Sequence, residues 1–100
     1  MSIETTGREK SGRLLLVDDE QGVLQALKRL FYRHYDVVLA NGGEEALSIL
    51  ETDSFDMIIS DMRMPGMSGA ELLKSCFEQY PAMIRVLLTG YSDLDSAIKA

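Results

Sequence analysis

The sequence has one cysteine, two prolines and no tryptophan in 100 residues. With Cys76 alone, neither an intramolecular disulfide nor a zinc site of several cysteines can form, and a reducing compartment is the natural setting. Long apolar runs are missing as well, the longest falling well short of the ~20 residues that a membrane-spanning helix needs. The opening stretch MSIETTGREKSG has no apolar centre of the kind a secretory signal carries. Basic residues are scarce, with 10 Lys and Arg against 16 Asp and Glu and a net charge of -6. Such a balance disfavours nucleic acid and anionic membrane and suits a cation. The expectation is a cytoplasmic protein that binds neither nucleic acid nor membrane directly.

What is present is enough for a core. The chain is 46% hydrophobic and 26% charged, ordinary for one small globular domain and too apolar for disorder. Residues 1–12 are polar and aperiodic and read as a loose tail, so the domain is expected over 13–100. RLLLVD, from Arg13, has the continuous apolar run of a strand buried on both faces. From Glu20 to Arg33, Val23, Leu27, Leu30 and Phe31 recur at helical spacing, and Tyr35 to Ala40 then reads as a second strand. Glu44 to Glu51 suits a helix with two acids in its first turn, and FDMIIS, Phe55 to Ser60, a third strand that ends on Asp61. Gly69 to Gln79 resumes helical spacing, Met83 to Thr89 reads as a fourth strand, and Ser92 can cap a last helix. The order βαβαβαβα with short connections predicts an α/β fold: a doubly wound parallel sheet with helices on both faces.

In such sheets, ligands sit outside the carboxyl ends of the strands. Asp18, Asp19 and Glu20 follow the first strand, Asp61 the third and Thr89 the fourth. Two carboxylates 4 Å apart repel by about 1 kcal/mol in water and about 4 at an effective dielectric of 20. The first loop holds no lysine or arginine to offset this, so an oxygen-bound Mg²⁺ is the expected counter-ion. A carboxylate beside such a cation can attack phosphorus, and Asp61, alone at its strand end before the turn-rich MRMPGMSG, is the candidate nucleophile. Thr89, next to the small Gly90, is placed to donate its hydroxyl to a phosphoryl oxygen. The other candidates read as structure: His34 as a surface residue, Cys76 as core, and Met57, Met62, Met64 and Met67 as gap-fillers or a sticky surface.

The segments LLVDDE, DMIISDMRMPGMSGAELL and VLLTGYSD, at these spacings, closely resemble the receiver domain of two-component response regulators from Arg13 to Ala100. The resemblance implies a CheY-like, flavodoxin-like fold. It also implies that Asp61 accepts a phosphoryl group from a sensor histidine kinase, and that Asp18, Asp19, Asp61 and the backbone carbonyl of Arg63 hold Mg²⁺, Asp18 mostly through water. Thr89 becomes the switch hydroxyl, and Arg63 and Tyr91 take positions that tune phosphate lifetime. The family pattern continues into a fifth strand bearing a lysine and a fifth helix. Neither is present by Ala100, and Lys99 lies within the fourth helix. A truncated domain of four strands in order 2-1-3-4 is therefore expected, with its output domain outside this chain. Mg²⁺ binding should survive, phosphotransfer should be impaired, and the open fourth strand should promote self-association. The resemblance implies a signalling domain rather than an enzyme acting on external substrates. A dinucleotide-binding fold lacks its glycine-rich turn here, and a haloacid-dehalogenase-like phosphatase would need an acid where Arg63 stands. The remaining alternative is an interaction or dimerisation module that is never phosphorylated.

Overall fold

The computed structural model describes residues 10–89. Strand β1, Arg13–Val17, is buried along nearly its whole length, as a central parallel strand must be when both its faces are covered. Helix α1 spans Gln21–Phe31, β2 Asp36–Ala40, α2 Gly43–Thr52 and β3 Met57–Asp61. Helix α3 spans Gly69–Gln79 and β4 Ile84–Leu88. The strands are all parallel and lie in the order β2, β1, β3, β4, the order 2-1-3-4 expected from the resemblance. The expected fourth helix and Tyr91 lie outside the described residues.

Alternation along the strands sorts side chains onto two faces. Leu15, Val17 and Ile58 face Ala46 and Leu50 of α2 and Leu72, Leu73 and Cys76 of α3. On the other face, Leu14, Leu16 and Ile59 pack against Leu24 of α1, with Leu27 and Phe31 partly buried beside them. Burying a leucine in this way contributes roughly 1.5–3 kcal/mol, enough to fix which helix face turns inward.

Two sequence expectations shift at this level. The apolar stripe of α1 was expected on Val23, Leu27, Leu30 and Phe31, yet Leu24 is its buried residue and Leu30 is 67% exposed. At about 100° per residue, Leu24, Leu27 and Phe31 share one narrow face and Leu30 falls roughly a quarter turn from it. Strand β3 also begins at Met57 rather than Phe55, and it ends on Asp61 as expected, in register with Leu88 of β4. The Asp61 backbone thereby belongs to the terminal rung of the sheet rather than to a loop.

Residues 10–12 make defined contacts. Ser11 N–H donates to the His34 carbonyl, Asp36 N–H donates to the Gly12 carbonyl at 2.9 Å, and the Lys10 ammonium donates to the Tyr32 carbonyl. Among the described residues β4 pairs with β3 alone, and it exposes Ile84 and Leu88.

Candidate metal centre

Because the strands are parallel, the carboxyl ends of β1, β3 and β4 share one edge of the sheet. β1 is flanked by β2 on one side and β3 on the other, so the direction of connection reverses beside it and opens a crevice there. Asp18 and Asp19 stand just past β1, and Asp61 ends β3. One carboxylate oxygen from each lies within 4.8 Å of the others. The structure thus brings together the three acids singled out in the sequence.

Their environments differ. Asp18 is 4% exposed, Asp61 half-buried and Asp19 open to solvent. Asp18 is fixed by its own amide, which donates to the Ala40 carbonyl at 3.2 Å, and by the Glu20 amide, which donates to Asp18 Oδ1 at 2.9 Å. Its carboxyl is held above the ordinary value of 3.8, first by burial and then, against the lowering effect of the Glu20 amide, by the charges of Asp61, Asp19 and Glu20. Among the described residues, the charges acting on this buried acid are negative. A buried carboxylate with acidic neighbours and free oxygen lone pairs is poised for a hard cation, which takes oxygen ligands and offsets repulsion in one step. The residues present therefore fit a divalent ion of the Mg²⁺ type.

A cavity of about 270 Å³ opens at this edge, lined by Asp18, Glu20, Val23, Asp61, Leu88 and Thr89. Thr89 is exposed and faces the same space as Asp61, as the sequence suggested. Glu20, Val23 and Leu88 are additions. Glu20 was legible as one of the strand-end acids, but nothing in the pattern told that it lines the cavity. Arg63 is exposed two residues beyond Asp61, and it borders a second cavity of about 620 Å³ with Met62, Met64, Pro65, Ser68 and Ala70.

The loop from Met62 to Ser68 is closed on itself. Gly69 N–H donates to the Met62 carbonyl at 2.9 Å, and Met62 N–H donates to the Leu88 carbonyl at 3.1 Å, tying the loop to β4. Gly66 has φ of +78°, which permits the turn after Pro65. A reciprocal capping box then starts α3, with the Glu71 amide donating to Ser68 Oγ at 3.1 Å and the Ser68 amide donating to Glu71 Oε1 at 2.9 Å. The Ser-x-x-Glu spelling was a signal for this cap that periodicity alone passes over.

The family model for the response regulator receiver domain matches residues 14–100. The chain belongs to the response regulator receiver domain family. It is 38% identical over 92 residues to the transcriptional regulatory protein GlrR of Escherichia coli, covering 91% of this chain and 21% of that protein. It is 35% identical over 92 residues to the DNA-binding transcriptional regulator NtrC of Proteus hauseri, covering 91% and 20%. This receiver domain spans about a fifth of the length of such curated relatives. Among solved structures, it superposes on a response regulator receiver domain protein from Clostridium thermocellum with a TM-score of 0.77 at 37% identity, covering 87% of this chain and 71% of that one. It also superposes on TrrA of Thermotoga maritima, solved in complex with Mg²⁺-BeF, with a TM-score of 0.76 at 36% identity, covering 84% and 74%. Among the described residues, no helix is long and apolar enough to cross a membrane.

Proposed function

We propose that Asp61 is the phosphoacceptor of this receiver domain, taking a phosphoryl group from the phosphohistidine of a sensor kinase in the cytoplasm. The observation that carries the reading is the approach of the Asp18, Asp19 and Asp61 carboxylate oxygens to within 4.8 Å, beside a cavity that Thr89 also lines. Asp18, Asp19, Asp61 and the Arg63 carbonyl would hold Mg²⁺. When bound, the ion neutralises charge on the carboxylates and on the incoming phosphoryl oxygens. An Asp61 carboxylate oxygen attacks phosphorus and forms an acyl phosphate. The bond from phosphorus to the donor imidazole nitrogen breaks, and its electron pair stays with that nitrogen. Burial keeps Asp18 fixed, and the Glu20 amide orients its carboxylate. The Thr89 hydroxyl donates to a phosphoryl oxygen, which draws the end of β4 inward and favours one of two conformations of the domain. The change is a shift between conformations, in keeping with a signalling role. Similarity to TrrA, solved with Mg²⁺-BeF, supports the cation assignment. Similarity to GlrR and NtrC supports a larger regulator whose output lies outside this chain. Among the described residues β4 has β3 as its one pairing partner and exposes Ile84 and Leu88, which supports self-association through that strand.

The test is mass spectrometry of the full-length protein after a small phosphodonor and Mg²⁺. The expected result is a gain of one phosphoryl group, absent from Asp61→Asn and absent when Mg²⁺ is chelated. A protein that gains none under any condition is instead an interaction module, and the reading fails.

A further inference from the structure

Where Gly69 meets Asp61 there is no room for a side chain. A Cβ built on Gly69 would lie 2.0 Å from the Asp61 carbonyl oxygen, 2.9 Å from its carbonyl carbon and 2.8 Å from Leu87 Cδ1. The first two of these are backbone atoms of the proposed phosphoacceptor, which no rotamer change can move aside. Gly69 itself is fully buried and donates its amide to Met62, the residue after Asp61. The same Asp61 carbonyl accepts from Ser60 Oγ at 2.9 Å. The end of β3 is therefore gripped on three sides: by the Ser60 hydroxyl, by β4 through Met62 N–H, and by the first residue of α3.

We infer that Gly69 is a positioning residue: its bare Cα lets α3 press against the Asp61 carbonyl and sets where the Asp61 carboxylate stands relative to Asp18. A side chain here forces either α3 or Asp61 to move. Helix α3 is the firmer body, because Leu72 and Cys76 are wholly buried, Leu73 nearly so, and the Ser68–Glu71 box fixes its first turn. Asp61 is the half-buried last residue of its strand. Relief falls on Asp61, and displacement of a reacting group by about an ångström is enough to cost orders of magnitude in rate. The role rests on the phosphoacceptor reading for its consequence, though the displacement itself does not depend on any ion.

The experiment compares wild type, Gly69→Ala and Gly22→Ala in the full-length protein. Gly22 lies in α1, and a Cβ added there would meet nothing within 4 Å, so its variant controls for adding a methyl group. A metal-free crystal structure of Gly69→Ala is expected to have Asp61 displaced from Asp18 with α3 in place. Calorimetric titration is expected to give a Mg²⁺ dissociation constant raised roughly tenfold or more, with phosphate uptake slowed to match, while Gly22→Ala behaves as wild type. Leu87→Val, which withdraws the δ-methyl, supplies a second background for Gly69→Ala. An unmoved Asp61 with unchanged Mg²⁺ affinity overturns the inference. Loss of folding in both backgrounds also overturns it, since the contact would then serve the fold alone. Wild type ignoring Mg²⁺ would sink the metal reading, and the metal-free structure would still decide the positioning role.

Discussion

Replacing Asp18 by Asn should stabilise the metal-free fold and remove its response to Mg²⁺. At the 4.8 Å that bounds the cluster, two unit charges repel by roughly 0.9 kcal/mol at the dielectric of water and about 3.5 at an effective dielectric of 20. Asp18 is 4% exposed and Asp61 half-buried, so their repulsion falls between, at about 2 kcal/mol. Asp19 is open to solvent and adds about 1. Asn keeps an oxygen to accept from the Glu20 amide, but its own amide group enters a buried place, which costs roughly 1–2 kcal/mol. The net gain is about 1–2 kcal/mol, or roughly 5–15 °C in melting temperature for a domain of this size.

The sign of the pH dependence comes from the same geometry. The Asp18 carboxyl is raised above 3.8 in the folded state, first by burial, so the native state binds this proton more tightly than the unfolded chain does. Stability contributed by Asp18 is therefore lost as pH rises from 3.8 through the raised folded value, and the full penalty is present above it. The gap between variant and wild type should open over that window. Mg²⁺ reverses the ranking, because an ion that binds only the native state at a hundred times its dissociation constant adds about 2.7 kcal/mol to wild type. Thermal melts in chelator and in excess Mg²⁺ measure both arms. A variant that melts below wild type without metal, or that gains as much from Mg²⁺, refutes the account.

Ser68→Ala removes the hydroxyl half of the capping box and leaves Glu71 without its reciprocal partner; urea unfolding should give a loss of about 1 kcal/mol, and an unchanged midpoint would place the start of α3 under other control. Self-association through β4 should appear as a concentration-dependent mass in light scattering and weaken when Ile84, 61% exposed on that strand, is replaced by Lys; a monomer at all concentrations would refute it.

The sheet was legible in the sequence because its strands are short and mostly apolar, with buried runs at the centre of β1 and β3, although β2 opens on Asp36 and β4 carries Arg85 and is largely exposed among the described residues. The order of strands was not legible from those runs and came with the family resemblance. The site was legible as three acids and a threonine because parallel strands bring their carboxyl ends to one edge whatever the strand order. What the pattern withheld is what depends on approach between elements. The apolar stripe of α1 pointed to Leu30, since the spacing of Val23, Leu27, Leu30 and Phe31 fits a helix as well as that of Leu24, Leu27 and Phe31 does. Only the sheet beneath decides between them. Gly69 reads along the chain as a helix start, and its contact with the Asp61 carbonyl belongs to two elements at once.

The two edges of the sheet divide stability from function. At the amino edge, Arg13 forms an ion pair with Asp53 at 4.0 Å, donates through its amide to Asp56 Oδ2 at 2.8 Å and lies 4.6 Å from the centre of the Phe55 ring. Asp53 and Asp56 thus both have a partner in Arg13. At the carboxyl edge, among the described residues, the charges of Asp61, Asp19 and Glu20 act on buried Asp18, Gly66 takes a left-handed turn, and α3 presses on the Asp61 carbonyl. The buried acid works against the fold, while glycine makes the turn and the close approach possible without steric cost. Arg13 stands against Asp53 and Asp56 at one edge, whereas Asp18, Asp19 and Asp61 gather at the other, and that contrast in charge is what the proposed cation would balance.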